Sequence, residues 1–255
     1  MKIIFIALVA LLALYLAVGL LLYIKQRSML YFPTSSVEHP FETMTVENEG
    51  EKINVIITNT GQKKALIYFG GNAEAVASGA TVFAKELPDY TTYLVEYRGY
   101  GKSTGKTNEA GLFSDAIAIY EKIKPTHSSI SIFGRSLGTG IASYIASLKK
   151  VDKLVLITPY DSIEQVAKDT YPIFPISLLL TDKYNSIDRV PKIKAKTIIL
   201  IAQNDTIVPK KYAYSLAKKF PEHQVEVHEI KGSHHNDIAD TNEYSQILKR
   251  FFYGR

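Results

Sequence analysis

Apolar runs of strand length recur along this chain, with stretches of helical length between most of them, and that alternation fixes the class of fold open to it. Strands are predicted at 43–48, 53–58, 65–69, 92–97, 130–134, 153–157, 197–202 and 225–230. Runs such as Ala65-Leu66-Ile67-Tyr68-Phe69 and Thr197-Ile198-Ile199-Leu200-Ile201 are apolar throughout. Strands with no polar face are covered on both sides, as in a parallel sheet wrapped by helices. Helices predicted at 75–87, 109–124, 137–149, 162–169, 210–219 and 243–252 supply those covers. The expected fold is α/β, a mostly parallel sheet of about eight strands with helices on both faces. No helix separates the first two strands, so they should form an antiparallel hairpin at one edge.

Residues 3–24 stand apart from this pattern. They form 22 consecutive residues without a charge, rich in Leu, Ala, Ile and Val. As a helix they would measure about 33 Å, the thickness of a bilayer's hydrocarbon core. A cleaved leader has a shorter apolar region, usually about 7 to 15 residues, closed by a small-x-small site. Here the run ends in Leu21-Leu22-Tyr23-Ile24 before Lys25-Gln26-Arg27, so an uncleaved single-pass anchor is expected. Lys2 with the amino terminus balances Lys25 with Arg27, and the charge rule assigns neither side of the membrane to the domain. The expected organisation is an anchor at 1–25, a connector at 26–40 and one α/β domain at 41–255. The connector is short, so the domain should sit close to the bilayer.

Composition narrows the chemistry. The chain has no cysteine, which removes disulfides, thiolate metal sites, cysteine nucleophiles and lipidated cysteines. A net charge of +5 is spread along the chain rather than gathered into a patch, so no nucleic-acid partner is expected. Lysines at 192, 194 and 196, and at 210, 211, 218 and 219, read as solvated faces that could also meet anionic headgroups.

The strand Ser131-Ile132-Phe133 runs into Gly134-Arg135-Ser136-Leu137-Gly138, and a helix rich in small residues follows. Gly-x-Ser-x-Gly alone says little. Between a strand and a helix, it is the sharp turn that lifts a serine Oγ above a sheet. A serine hydroxyl needs a base oriented by an acid before it can attack. The strand at 197–202 leads to Asp205, and the one at 225–230 leads to His234 and His235. Both follow strand carboxyl ends, hence the same rim as Ser136. Spacing alone leaves the two histidines open. Asp161 and Asp182 are rival acids, but neither directly follows a strand in the right slot. Adjacent histidine side chains diverge and no His-Glu-x-x-His spacing completes a shell, so no metal and no other cofactor is expected. An oxyanion would need two amides: that of Leu137, after the serine, and that of Asn72 (less favourably Ala73) in the loop Gly70-Gly71-Asn72-Ala73-Glu74. Gly101-Lys102-Ser103 mimics the end of a phosphate-cradling loop, but position 96 is Glu96 where that motif demands glycine. Residues 97–105 therefore read as a rigid turn.

These residues resemble a known family, the membrane-anchored α/β-hydrolase-domain serine hydrolases, whose relatives include lysophospholipid and monoacylglycerol lipases and depalmitoylases. The matching stretches are Leu30-Tyr31-Phe32-Pro33, Gly71-Asn72-Ala73-Glu74, 97–105, 134–140, Asn204-Asp205 with Val208-Pro209, and His235-Asn236-Asp237-Ile238. They lie in order over nearly the whole chain. The resemblance implies the α/β-hydrolase fold, and a triad of Ser136, Asp205 and His235. It selects His235 because the family's histidine directly precedes an Asn-Asp pair. It departs at Gly70, where the family usually carries a histidine that braces the oxyanion loop. The implied activity is hydrolysis of carboxylic esters or thioesters of lipid-like acyl substrates. A peptidase or amidase on the same triad, or a non-catalytic binding protein of the same fold, are the alternatives. Residues 159–190, inserted between two strands, carry Tyr171-Pro172-Ile173-Phe174-Pro175-Ile176 and Leu178-Leu179-Leu180. They are expected to form a cap that lines an acyl pocket and touches lipid, the alternative being a buried helix packed on the sheet.

Overall fold

The structure, a computed structural model, describes residues 1–254. The strands are β1 (Glu42–Asn48), β2 (Glu51–Thr58), β3 (Lys64–Phe69), β4 (Tyr90–Val95), β5 (Ser129–Arg135), β6 (Lys153–Ile157), β7 (Lys196–Ala202) and β8 (Val225–Ile230). They form one eight-stranded sheet in the order β1-β2-β4-β3-β5-β6-β7-β8. β1 and β2 pair antiparallel as an edge hairpin, β2 meets β4 antiparallel, and all the remaining pairings are parallel. This is the α/β-hydrolase fold. The six parallel strands all point their carboxyl ends at one rim, which is where loops can gather side chains from distant parts of the chain.

The helices are α1 (Lys2–Leu30), α2 (Ala80–Glu86), α3 (Glu109–Ile123), α4 (Leu137–Leu148), α5 (Ile163–Thr170), a single turn α6 (Ile176–Leu179), α7 (Lys211–Ala217) and α8 (Asn242–Tyr253). Alternation along β3 divides the core in two. Ala65, Ile67 and Phe69 pack with Leu112 and Ile119 of α3, Ile141 and Ile145 of α4, and Leu216 of α7. Leu66 and Tyr68 face the other way, onto Ala80 of α2 and Ile247 and Phe251 of α8. Both faces of the central strands are therefore buried, which explains their unbroken apolar sequence.

Three boundaries differ from expectation. The helix predicted at 75–87 opens as a 3-10 turn over Val76–Gly79, because Ser78 and Gly79 are weak helix formers, and becomes α-helical only from Ala80. The strand predicted at 92–97 is β4, which ends at Val95. Beyond it the chain turns, with the Glu96 carboxylate accepting from the Lys102 N–H at 2.8 Å and the Asn54 side chain at 2.9 Å. α1 runs on through Leu30, so the first five residues of the expected 26–40 connector are helical; nothing before Pro33 breaks the turn. This helix is long and apolar enough to cross a membrane, and nearly all of it is exposed.

One buried ion pair ties the sheet's edge to α3. The Arg98 Nε and Nη2 donate to both carboxylate oxygens of Asp115 at 2.7 Å each, and the side chains are 8% and 3% exposed. The hydrogen bonds to Asp115 hold the guanidinium above its ordinary range. Asn48 donates to the same carboxylate at 2.8 Å, so every partner of Asp115 comes from a different element. Removing the Asp115 carboxylate would leave the buried guanidinium with only the longer contact to the exposed Glu49 at 3.3 Å, at a cost of about 3 to 5 kcal/mol. Asp115→Ala should lower the thermal midpoint by roughly 10 °C or more, read by a melting curve of the detergent-solubilised chain.

Candidate active site

β5 passes into α4 through a single residue held against its ordinary preference. Ser136 has φ 49° and ψ −116°. A non-glycine residue at positive φ carries a strain of about 1 to 3 kcal/mol, so the surroundings must over-determine it. Here the Ser136 N–H donates to Ile157 O at the end of β6 (2.9 Å), while Ser136 O accepts the N–H of Thr139 at 3.0 Å and its hydroxyl at 2.6 Å. The turn is packed too close to the neighbouring strand for any side chain: a Cβ on Gly138 would lie 2.0 Å from Phe69 O. The result is a serine Oγ standing at the sheet's rim, at the start of a helix whose first amides are unpaired.

His235 follows β8 and meets this oxygen. Its Nε2 lies 2.9 Å from Ser136 Oγ, and its Nδ1 lies 2.7 Å from Asp205 Oδ2. A carboxylate can only accept, so the Nδ1 carries the proton and the Nε2 is left to accept from the serine hydroxyl. Asp205 follows β7, with its side chain 2% exposed. Its second oxygen accepts the N–H of Ile207 at 3.0 Å and of Val208 at 2.8 Å, which locks the carboxylate's orientation.

The alternatives weighed from sequence lie elsewhere. His234 is exposed and serves its own loop: its N–H donates to Asp237 Oδ1 at 2.6 Å, and its Nδ1 meets Oδ2 at 3.1 Å. The bond from the His234 amide holds the Asp237 carboxyl below its usual range. Asp161 accepts from the Ser162 N–H at 2.6 Å, and burial pushes its carboxyl up. Asp182 accepts from the Tyr31 hydroxyl at 3.0 Å and from Arg27 Nε at 3.2 Å. Neither carboxylate bonds the His235 ring, and His234 bonds neither Ser136 nor Asp205.

Asn72 lines the same cleft as Ser136, Leu137 and His235, a cavity of about 830 Å³. Among the described residues, neither the Leu137 nor the Asn72 amide donates to a protein acceptor, so both are free for a ligand. The bracing of this loop was not legible in advance. A Cβ at Gly70 would lie 2.7 Å from Val76 Cγ1, so no histidine fits there as the loop stands. Glu74 does the bracing instead: its carboxylate accepts from the Gly71 N–H (2.8 Å), the Tyr68 hydroxyl (2.6 Å) and Arg135 Nη1 (3.1 Å). Tyr97 donates to Gly70 O at 2.7 Å, and Asn72 Oδ1 accepts from the Phe32 N–H at 3.0 Å and from the Tyr100 hydroxyl at 3.2 Å. Burial pushes the Tyr68 and Tyr97 phenols up, and Tyr100 up to about 12, so all three remain neutral donors.

No family model matches the chain. It is 29% identical over 258 residues to an uncharacterised Mycobacterium tuberculosis protein, covering 92% of this chain and 90% of that one. It is 30% identical over 165 residues to the α/β hydrolase domain-containing protein aho-3 of Caenorhabditis elegans, covering 62% of this chain. The chain spans about half of that worm protein, 48% of its length. Among solved structures, the Pyrococcus furiosus esterase Pf2001 superposes with a TM-score of 0.70 at 17% identity, covering 87% of this chain and 97% of that one.

The contact between Gly138 and Phe69 O makes the turn at Ser136 intolerant of even one methyl. Gly138→Ala should cost about 1 to 3 kcal/mol, lowering the thermal midpoint by roughly 3 to 9 °C. A melting curve beside the parent chain checks this.

Proposed function

Because the chain belongs to the α/β-hydrolase superfamily, we propose that its rim site is that of a serine hydrolase acting on carboxylic esters or thioesters of lipid-like acyl groups. The observation that carries this reading is the unbroken pair of contacts from Asp205 through His235 to Ser136. Ser136 Oγ attacks the acyl carbonyl carbon as His235 Nε2 takes its proton. Asp205 holds the imidazole in the required tautomer and stabilises the imidazolium that forms. The negative charge on the former carbonyl oxygen is met by the Leu137 and Asn72 amides, an effect of about 3 to 4 kcal/mol per donor. The tetrahedral adduct collapses, the bond to the leaving group breaks, and His235 returns its proton to the departing oxygen or sulfur. Water, deprotonated by the same histidine, then attacks the acyl-enzyme and releases the acid, restoring the serine. Every proton is carried by His235, so these steps call on no metal or organic cofactor.

α1 is read as a single-pass anchor rather than a leader destined for removal. Its apolar length supports this, as do its bonds to the domain: Gln26 to Leu179 O at 3.0 Å and Arg27 to Asp182 at 3.2 Å. The domain is thereby held against the membrane face.

Two measurements test this reading. In ester hydrolysis by the full chain, Ser136→Ala and His235→Ala should each lower kcat by about 10⁶-fold, and the double variant by no more than either alone, because the groups act as a unit. Asp205→Asn should cost about 10⁴-fold. Comparable rates on aminoacyl amides would move the substrate class to amides, and an absence of turnover on either would identify a binding protein. In fractionated cells, the chain should remain with the membranes after alkaline carbonate washing; release into the supernatant would contradict the anchor.

A further inference from the structure

Residues 171–182 do not pack on the sheet; they pack on the anchor. The Tyr15 hydroxyl donates to Ile173 O at 2.9 Å, and its ring stacks on Phe174 with centroids 4.9 Å apart and planes 6° from parallel. Gly19 lies against the same ring, where a Cβ would stand at an ordinary contact distance of 3.7 Å. Lower down, the Gln26 amide group donates to Leu179 O and accepts the N–H of Thr181 at 2.7 Å and its hydroxyl at 2.9 Å.

Tyr15 lies about 14 Å along the helix axis from residue 24. With residues 3–24 across the hydrocarbon, the segment 171–180 therefore lies in the half of the bilayer next to the domain. Its chemistry suits that position. Six of its eight N–H groups, those of Tyr171, Phe174, Ile176, Leu178, Leu179 and Leu180, donate to carbonyls of the cap itself, those of Ile173 and Ser177 have no protein acceptor among the described residues, and Pro172 and Pro175 have none to satisfy. Most of the irregular backbone is thus satisfied, as membrane depth demands. Among its uncovered side chains are Ile173 and Leu178, 70% and 84% exposed, and Ser177, whose hydroxyl donates to Glu164 at 2.7 Å.

Between anchor and cap runs an apolar groove of about 220 Å³, walled by Leu22 on α1 and by Val166, Ala167 and Leu179 on the cap. It adjoins the reacting atoms: Met29, Leu30 and Ile163 line both this groove and the cleft over Ser136 and His235. The far side of that cleft is polar, with Glu74, Arg135 and Asn236.

We propose that this groove binds the acyl chain of a membrane lipid ester, drawn from the surrounding leaflet, with the anchor helix forming one wall of the substrate site. The acyl tail lies between α1 and the cap, the carbonyl meets Ser136, and the alcohol portion leaves through the polar side of the cleft. The proposal rests on the hydrolase reading above and adds that the anchor selects substrate as well as holding the domain at the membrane.

The test uses the full chain in phosphatidylcholine vesicles, with butyrate and laurate esters of one fluorogenic alcohol. Each methylene buried in the groove should raise kcat/KM about three- to fourfold until the groove is full. Leu22→Trp on the anchor and Val166→Trp on the cap should each lower the laurate-to-butyrate ratio of kcat/KM by tenfold or more. Leu22→Ala, which enlarges the groove, should shift the preferred acyl group towards palmitate. That opposite shift cannot arise from misfolding. A ratio unmoved by the anchor substitutions, or equal losses on both esters without the Leu22→Ala shift, overturns the groove. Fluorophosphonate labelling of Ser136 in the same preparations separates the two readings. Labelling with an unmoved ratio refutes the acyl groove alone, whereas no labelling of the parent chain refutes the hydrolase reading and the groove with it.

Discussion

The close approach of the Ser136 turn to the end of β3 is the constraint on which the rest of the site depends. A serine at φ 49° is held there because Gly138 has no Cβ to strike Phe69 O, and because Ile157 O accepts the serine's own N–H. Three parallel strands, β3, β5 and β6, must therefore be in register before the turn can form. Those strands are among the most deeply buried in the molecule, so the strain is borne by the part of the fold best able to resist it. The same parallel register places the ends of β7 and β8 on the same rim, which is how His235 comes within hydrogen-bond reach of Ser136, and Asp205 within reach of His235.

A second layer of polar contacts keeps the rim from relaxing. Tyr160 donates to Leu137 O at 3.0 Å, beside the amide assigned to the oxyanion. Its ring meets Tyr184 edge-on, and the Tyr184 hydroxyl shares a 2.8 Å bond with that of Tyr31, just past the end of α1. Burial pushes all three phenols up, so they serve as neutral hydrogen-bonding groups and not as charges. Through Asp182, which accepts from both Tyr31 and Arg27, the network joins the end of α1 to residues 182–184 and to the serine turn. The apolar helix α1 is thus bonded into the domain rather than tethered by a free linker.

Much of this was legible in the sequence, for reasons that can be named. Strands buried on both faces are written as uninterrupted apolar runs, and β3, β6 and β7 fall within a residue of where those runs lie. Ser136, Asp205 and His235 follow strand ends, so the parallel order alone gathers them. What stayed hidden depends on contacts between distant segments. Spacing could not choose between His234 and His235, since adjacent residues differ only in which way the loop turns them. The brace of the Gly70 loop is carried by Tyr68, Glu74, Tyr97 and Arg135, whose roles exist only once β3, β4 and β5 are adjacent. The apolar run in residues 159–190 announced an unusual environment, and its Phe174 and Leu179 meet α1. α5 has no fully buried residue, yet its Ile163 and Val166 pack against the core that holds Tyr160 and Tyr184.

The central claim is that the oxygen at position 136 becomes covalently acylated. Peptide mass mapping after incubation with an aryl carbamate, which loses its phenol to leave a slowly hydrolysed carbamoyl group on the attacking oxygen, tests it most directly. The account predicts a mass increment of one carbamoyl group on the peptide containing Ser136, at one equivalent per chain. An adduct on any other residue, or an unmodified Ser136 after prolonged incubation of the folded chain, would contradict it.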